Sequence, residues 1–256
     1  MSATAADRAG HRLDDHQLAH RLATDAGQLL LGVQRELAGA DPHQRKDAGD
    51  RRSQDFLAAA LAELRPEDCV LSEEAVDDKS RLGADRVWII DPLDGTREFS
   101  ELGRNDWAVH VALWERGELV AAAVALPAQA ITLATPRVGL AARPVSGPAR
   151  VVVSRTRPPP IATQVRDELG GRLAEMGSAG AKAMAIVQGF ADIYVHAGGQ
   201  YEWDSAAPVA VARAAGLHTS RIDGSPLRYN RDDPLLPDVV ICRPEYAHDV
   251  LAVTST

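Results

Sequence analysis

The amino-acid sequence predicts a mixed α/β protein with a layered α/β/α/β fold, in which the two halves of the chain differ in type. In the first half, two helical patterns precede closely spaced strand-like runs, and Glu115-Arg116-Gly117 joins two of these runs as a β-hairpin. This order is typical of an α+β unit rich in antiparallel strands. In the second half, strand-like and helical patterns alternate, which indicates an α/β unit.

We expect the two halves to be subdomains, covering residues 1–146 and 147–256. The segment from Ala141 to Pro148, where they meet, is rich in Pro, Gly and small residues, so a linker and a surface loop are both consistent with it. A chain of 256 residues is long enough for one large core or for two subdomains that share a site.

Leucine and valine side chains recur at helical spacing between residues 11 and 38, and Asp14 or Asp15 is a suitable N-cap for this helix. The polar stretch from residue 39 to 52 interrupts the pattern. We therefore expect the second helix to run from Ser53 to Leu64, where Pro66 ends it. Strands are predicted at residues 70–71, 86–90, 109–114, 118–126 and 131–135.

The second half contains three predicted strands and three predicted helices. The strands are at residues 151–153, 191–196 and 239–242, and the helices are at residues 161–174, 181–188 and 205–215.

Charge and composition exclude several classes of protein. The formal net charge is −8 and no basic stripe is visible, which argues against binding to a nucleic-acid polymer. Two cysteines, Cys69 and Cys242, form neither a disulfide framework nor a zinc motif. The polar N-terminal residues do not resemble a signal peptide, and no apolar run approaches the ~20 residues of a membrane span. We expect a cytoplasmic protein without membrane contact.

The most informative stretch is the turn Asp91-Pro-Leu-Asp-Gly-Thr96, which directly follows a predicted buried strand. Pro92 keeps Asp91 out of the helical region, and Gly95 permits a sharp reversal of the chain. Asp91, Asp94 and the carbonyl of Leu93 then offer three hard oxygen ligands, a set that suits Mg²⁺. The alternative is an ordinary turn, because Asp, Pro and Gly are common turn residues.

Three further carboxylates are candidates for the same site. Glu73 follows a short strand, Asp204 lies at the start of a predicted helix, and Asp50 precedes another helix. Each also has a structural interpretation: Glu73 as part of a solvated acidic turn, and the two aspartates as helix caps. Periodicity alone does not show whether these carboxylates converge.

Three separated motifs resemble the inositol-monophosphatase-like, lithium-sensitive phosphatase superfamily. They are the acidic pair Glu73-Glu74, the turn Asp91–Thr96, and Trp203-Asp-Ser-Ala-Ala207 at the start of a late helix. The longer turn sequence, which continues Thr-Arg-Glu-Phe99, and Glu202 before Trp203 resemble the bacterial CysQ-type 3′-phosphoadenosine-5′-phosphate phosphatases. The resemblance implies a sugar-phosphatase-like fold and a homodimer.

The resemblance also implies roles for individual residues. Two or three Mg²⁺ ions would be held by Glu73, Asp91, the Leu93 carbonyl, Asp94 and Asp204. Asp50, Glu73 and Thr96 would be catalytic, with Asp50 as base and Thr96 as relay to a metal-activated water, without a covalent intermediate. The implied substrate is a small phosphorylated nucleotide, 3′-phosphoadenosine 5′-phosphate. Its expected contacts are Gly95, Thr96, Ser154, Arg157, Ser178, Lys182 and Asp204.

Two of these contacts have structural alternatives: Lys182 as a solvated helix lysine and Ser154 as a strand-end turn residue. The chain also departs from the family pattern. Arg157 stands where the family often has His, and only Lys46, Asp47 and Asp50 remain of the usual motif before the second helix. The departures put the nucleotide contact at Arg157 and the assignment of Asp50 in question.

Three rival functions follow from the same residues. The first is the same chemistry on inositol monophosphate or fructose 1,6-bisphosphate. The second is a phosphatase with an aspartyl-phosphate intermediate on Asp91, although two residues rather than one separate Asp91 from Asp94. The third is a metal-dependent binding protein that has lost catalysis, against which the intact Thr96 and Asp204 argue.

Overall fold

The computed structural model describes residues 13–141 and 147–255, and it contains two five-stranded sheets. The first sheet has the strand order β1-β2-β3-β4-β5; β1 and β2 are parallel and the other neighbours are antiparallel. Its strands are β1 (Cys69–Ser72), β2 (Arg86–Asp94), β3 (Ala108–Glu115), β4 (Glu118–Leu126) and β5 (Ile131–Ala134).

The second sheet has the order β7-β6-β8-β10-β9. Strand β6 is parallel to both β7 and β8, whereas β10 is antiparallel to β8 and β9. The strands are β6 (Arg150–Ser154), β7 (Arg172–Met176), β8 (Ile193–Ala197), β9 (His218–Ser220) and β10 (Asp238–Cys242). The antiparallel-rich first half and the α/β second half are therefore confirmed.

The described residues form seven α-helices and three short 3₁₀ segments, the latter at Lys79–Gly83, Pro127–Gln129 and Pro244–Tyr246. The α-helices are α1 (Asp15–Glu36), α2 (Pro42–Leu64), α3 (Thr96–Ser100), α4 (Pro160–Glu168), α5 (Ala179–Val187), α6 (Glu202–Ala214) and α7 (Ala247–Thr254). None of the described helices is long and apolar enough to cross a membrane.

Three apolar clusters hold the layers together. Helices α1 and α2 pack on one face of the first sheet, against residues such as Trp88 and Val111. Helices α5 and α6 lie between the two sheets and share a core with Ile89 and Tyr194. Helices α4 and α7 cover the outer face of the second sheet. Because β2 is covered on both faces, it is buried almost throughout, which explains its continuous apolar run.

The predicted start of the second helix at Ser53 is wrong, because α2 begins at Pro42. The side chain of Asp41 caps this helix by accepting a hydrogen bond from the His43 amide at 2.8 Å, and Pro42 suits the first turn. The polar residues of its first turns mostly face solvent, so they lack an apolar periodicity. Buried Arg45 is the exception, and it donates to the carbonyls of Leu37 and other residues.

The second error concerns residues 161–174, which do not form one helix. Helix α4 ends at Glu168, and the chain turns at Gly170, where φ is +56°, before it enters the edge strand β7. Strand β9 and helix α7 were not predicted. The segment from Ala141 to Pro148 lies partly outside the described residues, so the subdomain boundary stays a prediction. Residues 11 and 12 of the first predicted helix also lie outside the described residues.

The other predicted elements are confirmed to within a few residues. Asp14 is the N-cap of α1, since its side chain accepts a hydrogen bond from the Gln17 amide at 2.7 Å. The hairpin joins β3 and β4 through Arg116 and Gly117, both of which have positive φ.

Candidate active site

The Asp91–Asp94 turn is rigid and buried. Strand β2 extends through Asp94, and its pairing with β3 shifts register between Asp91 and Asp94. The two carboxylates offer ligand atoms within 4.8 Å of each other. The Leu93 amide donates to Asp91 Oδ1 at 3.0 Å, and buried Ser53 donates to the Pro92 carbonyl at 2.7 Å. Gly95 then adopts a left-handed conformation (φ +86°) that redirects the chain into α3.

His110 is a member of the site that the sequence analysis missed. It lies opposite Asp91 in the β2–β3 pair, and its Nε2 is 3.0 Å from Asp94 Oδ2. Its Nδ1 is 3.0 Å from the Trp203 carbonyl oxygen. Asp91, Asp94 and His110 each offer one ligand atom within 4.8 Å of the others. The predicted hairpin gave no signal for this contact, because it pairs β3 with β4 and places His110 opposite Val124; the β2–β3 pairing brings residue 110 opposite residue 91.

Asp94 is bound by the N-terminus of α5. Its carboxylate accepts hydrogen bonds from Ser178 Oγ at 2.6 Å, from the Ala179 amide at 3.1 Å and from the Gly180 amide at 2.6 Å. Burial alone would raise the pKa of Asp94, but the neighbouring His110 and these donors lower it to about 2. Ser178 therefore contacts a predicted metal ligand from the second half of the chain.

Glu73 and Asp204 reach the same region from different elements. Glu73 keeps an exposed surface, but the protein around its carboxyl group excludes part of the water. This loss of hydration, and then the charges of Asp204 and Asp94, raise the pKa of Glu73 to about 7. Burial and the charge of Asp94 likewise raise the pKa of Asp204 to about 6. Burial and the charge of Glu73 raise the pKa of Asp91 far above its usual value.

Each of these carboxylates therefore lies within electrostatic range of another, although among the described residues only Asp91, Asp94 and His110 offer ligand atoms within 4.8 Å of one another. The helix-cap interpretation of Asp204 is nevertheless correct in part, because its Oδ2 accepts from the Tyr201 amide at 2.7 Å. Helix α6 begins at Glu202, so Asp204 lies inside its first turn and not at the cap position.

Asp50 and Thr96 lie on two helices beside the turn. Asp50 is partly buried within α2, so it does not cap a helix that begins at Ser53. Burial, and then the charge of Glu74, raises the pKa of Asp50 to about 7. Thr96 is the first residue of α3, and its hydroxyl donates a long hydrogen bond of 3.4 Å to the Leu93 carbonyl.

A cleft of about 430 Å³ opens between the carboxylates and the second sheet. It brings together six of the predicted site residues, namely Asp94, Ser154, Arg157, Ser178, Lys182 and Asp204. Its far wall includes His196 and Gln200, which the sequence analysis did not select. The cleft therefore has an acidic end and an end with several nitrogen-bearing side chains.

Lys182 is not a solvated helix lysine. It is buried, and its Nζ donates to the carbonyls of Gly177 at 2.8 Å and Ser178 at 2.7 Å. The same atom lies 5.3 Å from the ring centre of Tyr194. Burial lowers its pKa to about 8. Ser154 stabilises a turn, because its Oγ accepts a hydrogen bond from the Arg157 amide at 3.2 Å. It also lines the cleft.

The donor set suits a metal ion. Closely spaced carboxylates repel one another by about 4 kcal/mol per pair at 4 Å and an effective dielectric of 20, and a divalent cation relieves this repulsion. Burial is the main cause of the raised pKa values of Glu73, Asp91 and Asp204, and the same repulsion raises them further. Buried His110 Nε2 faces Asp94 Oδ2 at 3.0 Å, although the contact does not have full hydrogen-bond geometry. The Asp91, Asp94 and His110 group can hold a metal ion.

Comparison with known proteins decides the family. The sequence profile described as the inositol monophosphatase family matches residues 13–255, which is nearly the whole chain. The chain belongs to the inositol monophosphatase family. The enzymes of this family that it resembles are phosphatases, and this chain is a phosphatase too.

One relative within the inositol monophosphatase family is a protein from Mycobacterium bovis named 3′-phosphoadenosine 5′-phosphate phosphatase. It is 54% identical over 231 residues, which cover 87% of this chain and 86% of the relative. A second protein of that name, from Mycobacterium leprae, is 52% identical and covers 94% of this chain and 93% of its own length.

Solved structures confirm the fold of the family. Inositol monophosphatase-II from Staphylococcus aureus matches with a TM-score of 0.76 at 18% identity, covering 93% of this chain and 95% of that one. CysQ from Bacteroides thetaiotaomicron, described as a bacterial member of the inositol monophosphatase family, matches with a TM-score of 0.71 at 27% identity. That match covers 88% of this chain and 96% of the CysQ chain.

Proposed function

We propose that this phosphatase hydrolyses the 3′-phosphate of 3′-phosphoadenosine 5′-phosphate to give AMP and phosphate, and that it requires Mg²⁺. The cleft, with carboxylates at one end and cationic side chains at the other, is the observation that carries the proposal. A substrate with two phosphates needs both ends: one for the phosphate that reacts and one for the phosphate that stays. The names of the mycobacterial relatives support the same substrate.

In this proposal, two or three Mg²⁺ ions are held by Glu73, Asp91, the Leu93 carbonyl, Asp94 and Asp204. All of these offer oxygen atoms, which Mg²⁺ prefers over nitrogen, so His110 would orient Asp94 and Asp91 and not bind the ion itself. When bound, the ions would supply positive charge for the reacting phosphate and lower the pKa of a water molecule.

The proposed catalytic residues surround the Asp91 turn. Asp50 would take a proton from the attacking water with Thr96 as relay, and Glu73 would steady the site. The raised pKa of Asp50, about 7, suits a general base near neutral pH. The Thr96 hydroxyl can turn towards water, because its bond to Leu93 is long at 3.4 Å. The amides of Gly95 and Thr96 would bind phosphate oxygens, and no covalent intermediate forms.

The opposite end of the cleft would bind the remaining nucleotide. Arg157, Lys182 and His196 line the same cleft. Burial, and then the charges of Lys182 and Arg157, lower the pKa of His196, so His196 is a neutral neighbour of the two cationic side chains. The proposal adds His196 to the predicted contacts Ser154, Arg157 and Lys182. Ser178 would act mainly through its hydrogen bond to Asp94, at 2.6 Å. A cationic end of this kind favours a substrate with a second anionic group.

The alternative substrates are inositol monophosphate and fructose 1,6-bisphosphate. Inositol monophosphate carries one phosphate and would leave the cationic end without a partner, whereas fructose 1,6-bisphosphate carries two. The cleft therefore favours the two bisphosphates over the monophosphate.

A panel of phosphate-release assays tests the proposal. The three substrates and adenosine 3′-phosphate, which lacks only the 5′-phosphate, are compared with Mg²⁺, with chelator and with added Li⁺. We expect the highest kcat/KM for 3′-phosphoadenosine 5′-phosphate, no activity in chelator, and inhibition by Li⁺. Equal or higher kcat/KM for inositol monophosphate would refute the substrate, and a phosphoenzyme trapped on Asp91 would refute the mechanism.

A further inference from the structure

Glu98, in α3, is a buried carboxylate that belongs to no part of the mechanism described above. It is 6% exposed, and burying a carboxylate is costly unless it is paired. Its partner is Arg155, whose Nη2 donates to Glu98 Oε1 at 2.8 Å. The same nitrogen donates to the exposed Glu101 at 3.0 Å. Arg155 itself is only partly buried, and the pair connects α3, which follows the first sheet, to the end of β6 in the second sheet.

The Glu98 side chain has little freedom to move. It lies against Gly177, in the turn between β7 and α5, where an added Cβ would overlap the Glu98 Cγ and lie 2.5 Å from its Cδ. The Gly177 amide is fixed in turn, because it donates to Asp106 Oδ2 at 2.6 Å. The absence of a side chain at residue 177 thus makes room for Glu98, and Glu98 meets Arg155 in a defined geometry.

Arg155 belongs to the segment that forms one wall of the cleft. The neighbouring residues Ser154 and Arg157 line the cleft, as do Pro158, Pro159 and Pro160. The Arg155 amide also donates to the Met176 carbonyl at 3.2 Å, and the Arg157 amide donates to Ser154 Oγ at 3.2 Å. The segment is therefore held by two backbone amides and by the ion pairs of Arg155, of which the one with Glu98 is the more buried.

We infer that the partly buried Glu98–Arg155 ion pair positions the wall that carries Arg157, and thereby sets the selectivity for substrates with a second phosphate. Neither side chain lines the cleft, so both are positioning residues and not catalytic ones. The inference deepens the proposed function and rests on it. It also gives a physical reason for Glu98 in the Thr-Arg-Glu-Phe sequence, which the metal site leaves unexplained.

The test compares two substrates that differ only in the 5′-phosphate: 3′-phosphoadenosine 5′-phosphate and adenosine 3′-phosphate. In the Glu98→Gln variant, which keeps the volume against Gly177 but removes the charge, we expect KM for the bisphosphate to rise about tenfold. For both substrates kcat should stay within about twofold, as should KM for adenosine 3′-phosphate, because the reacting end is unchanged. Arg155→Met should give the same pattern.

The double variant and a surface control complete the experiment. Glu98→Gln combined with Arg155→Met should lose no more selectivity than either single variant, because the two residues act as one pair. Glu101→Gln removes the exposed acceptor of the same guanidinium, and we expect kinetics within about twofold of wild type. Circular dichroism and thermal unfolding of each variant separate a change in kinetics from a loss of fold.

Several results would overturn the inference. An unchanged ratio of kcat/KM values for the two substrates in Glu98→Gln would do so, as would an equal fall for both substrates or additive losses in the double variant. Failure of the proposed function looks different, because the wild type itself would then release no phosphate from 3′-phosphoadenosine 5′-phosphate. In that case fructose 1,6-bisphosphate replaces it as the bisphosphate, and an unchanged KM in Glu98→Gln overturns the inference.

Discussion

The contact between Gly180 and His110 leads to a prediction that tests the assembly of the site. Gly180 lies in the first turn of α5, and its amide donates to Asp94 Oδ2 at 2.6 Å. A Cβ added there would overlap His110 Nε2 and lie 3.1 Å from both neighbouring ring carbons. His110 is fully buried and cannot move aside without disturbing Asp94. The change Gly180→Ala therefore pushes α5 away from both residues.

The expected cost has two parts. Overpacking of a buried contact costs about 1–3 kcal/mol. A weakened hydrogen bond to a charged carboxylate costs a further ~1.5–3 kcal/mol at most, and the better helix propensity of alanine offsets up to about 1 kcal/mol. We expect Gly180→Ala to lower the free energy of unfolding by about 2–4 kcal/mol, which corresponds to a fall in Tm of roughly 5–15 °C.

Activity should fall more than stability alone explains. Displacement of Asp94 by a few tenths of an ångström or more misplaces an expected metal ligand, so we expect kcat to fall at least about tenfold below the melting range. The measurements are urea unfolding, thermal unfolding and phosphate release at 25 °C.

Gly32→Ala is the matched control for this prediction. Gly32 lies inside α1, where an added Cβ would meet nothing closer than the Arg35 guanidinium at 4.0 Å. Alanine there should stabilise the protein by about 0.5–1 kcal/mol and leave kcat unchanged. If Gly180→Ala instead behaves like Gly32→Ala, the packing of His110 against α5 is not what holds Asp94 in place.

Three further predictions concern the metal site and pH. Asp94→Asn should reduce kcat by about 100-fold or more, because a charged ligand is lost. It should also lower the free energy of unfolding by about 1–3 kcal/mol, because the new amide group faces hydrogen-bond donors. Near-normal turnover in a phosphate-release assay would contradict the role of Asp94. Mg²⁺ added at 100 times its Kd should stabilise the chelator-treated protein by about 2.7 kcal/mol, as measured by thermal unfolding. The Asp94→Asn variant should lose most of this stabilisation. An unchanged Tm of the wild type on addition of Mg²⁺ would argue against the site. The Arg81 guanidinium lowers the pKa of Asp77 from 3.8 to about 2, so the Asp77–Arg81 pair contributes fully to stability above about pH 4 and loses this contribution as pH falls towards 2. The loss of unfolding free energy in Asp77→Asn, measured by urea unfolding between pH 6 and 3, should therefore shrink as pH falls. A difference that stays constant with pH would contradict this.

The sequence alone predicted the features that depend on neighbouring residues. The turn from Asp91 to Thr96 was recognisable because Pro92 and Gly95 restrict the backbone wherever they occur. The layered α/β fold and the β3–β4 hairpin followed from apolar periodicity, which reports which face of an element is buried. The family also followed from the sequence, because three motifs occur in the right order.

Local patterns were misleading where the environment decides the outcome. Residues 42–52 look like a break because they are polar, yet they form the first turns of α2, which is mostly exposed and anchored by Arg45. Residues 172–174 resemble a continuing helix, but Gly170 ends α4 and an edge strand of the second sheet takes up the chain. Short edge strands carry little apolar pattern, since only part of their surface is buried.

Only the tertiary structure decided which side chains meet. Glu73, Asp94 and Asp204 come from a strand end, a turn and a helix, and nothing in their sequence spacing requires them to influence one another's pKa. His110 and Ser178 joined Asp94 for the same reason: strand pairing and the docking of α5 bring them there. Sequence motifs encode backbone geometry over a few residues, whereas a site is formed by packing between elements far apart in the chain. The sequence motifs were thus sufficient to predict the type of chemistry, whereas the packing of the two sheets around α5 and α6 determined the geometry of the site.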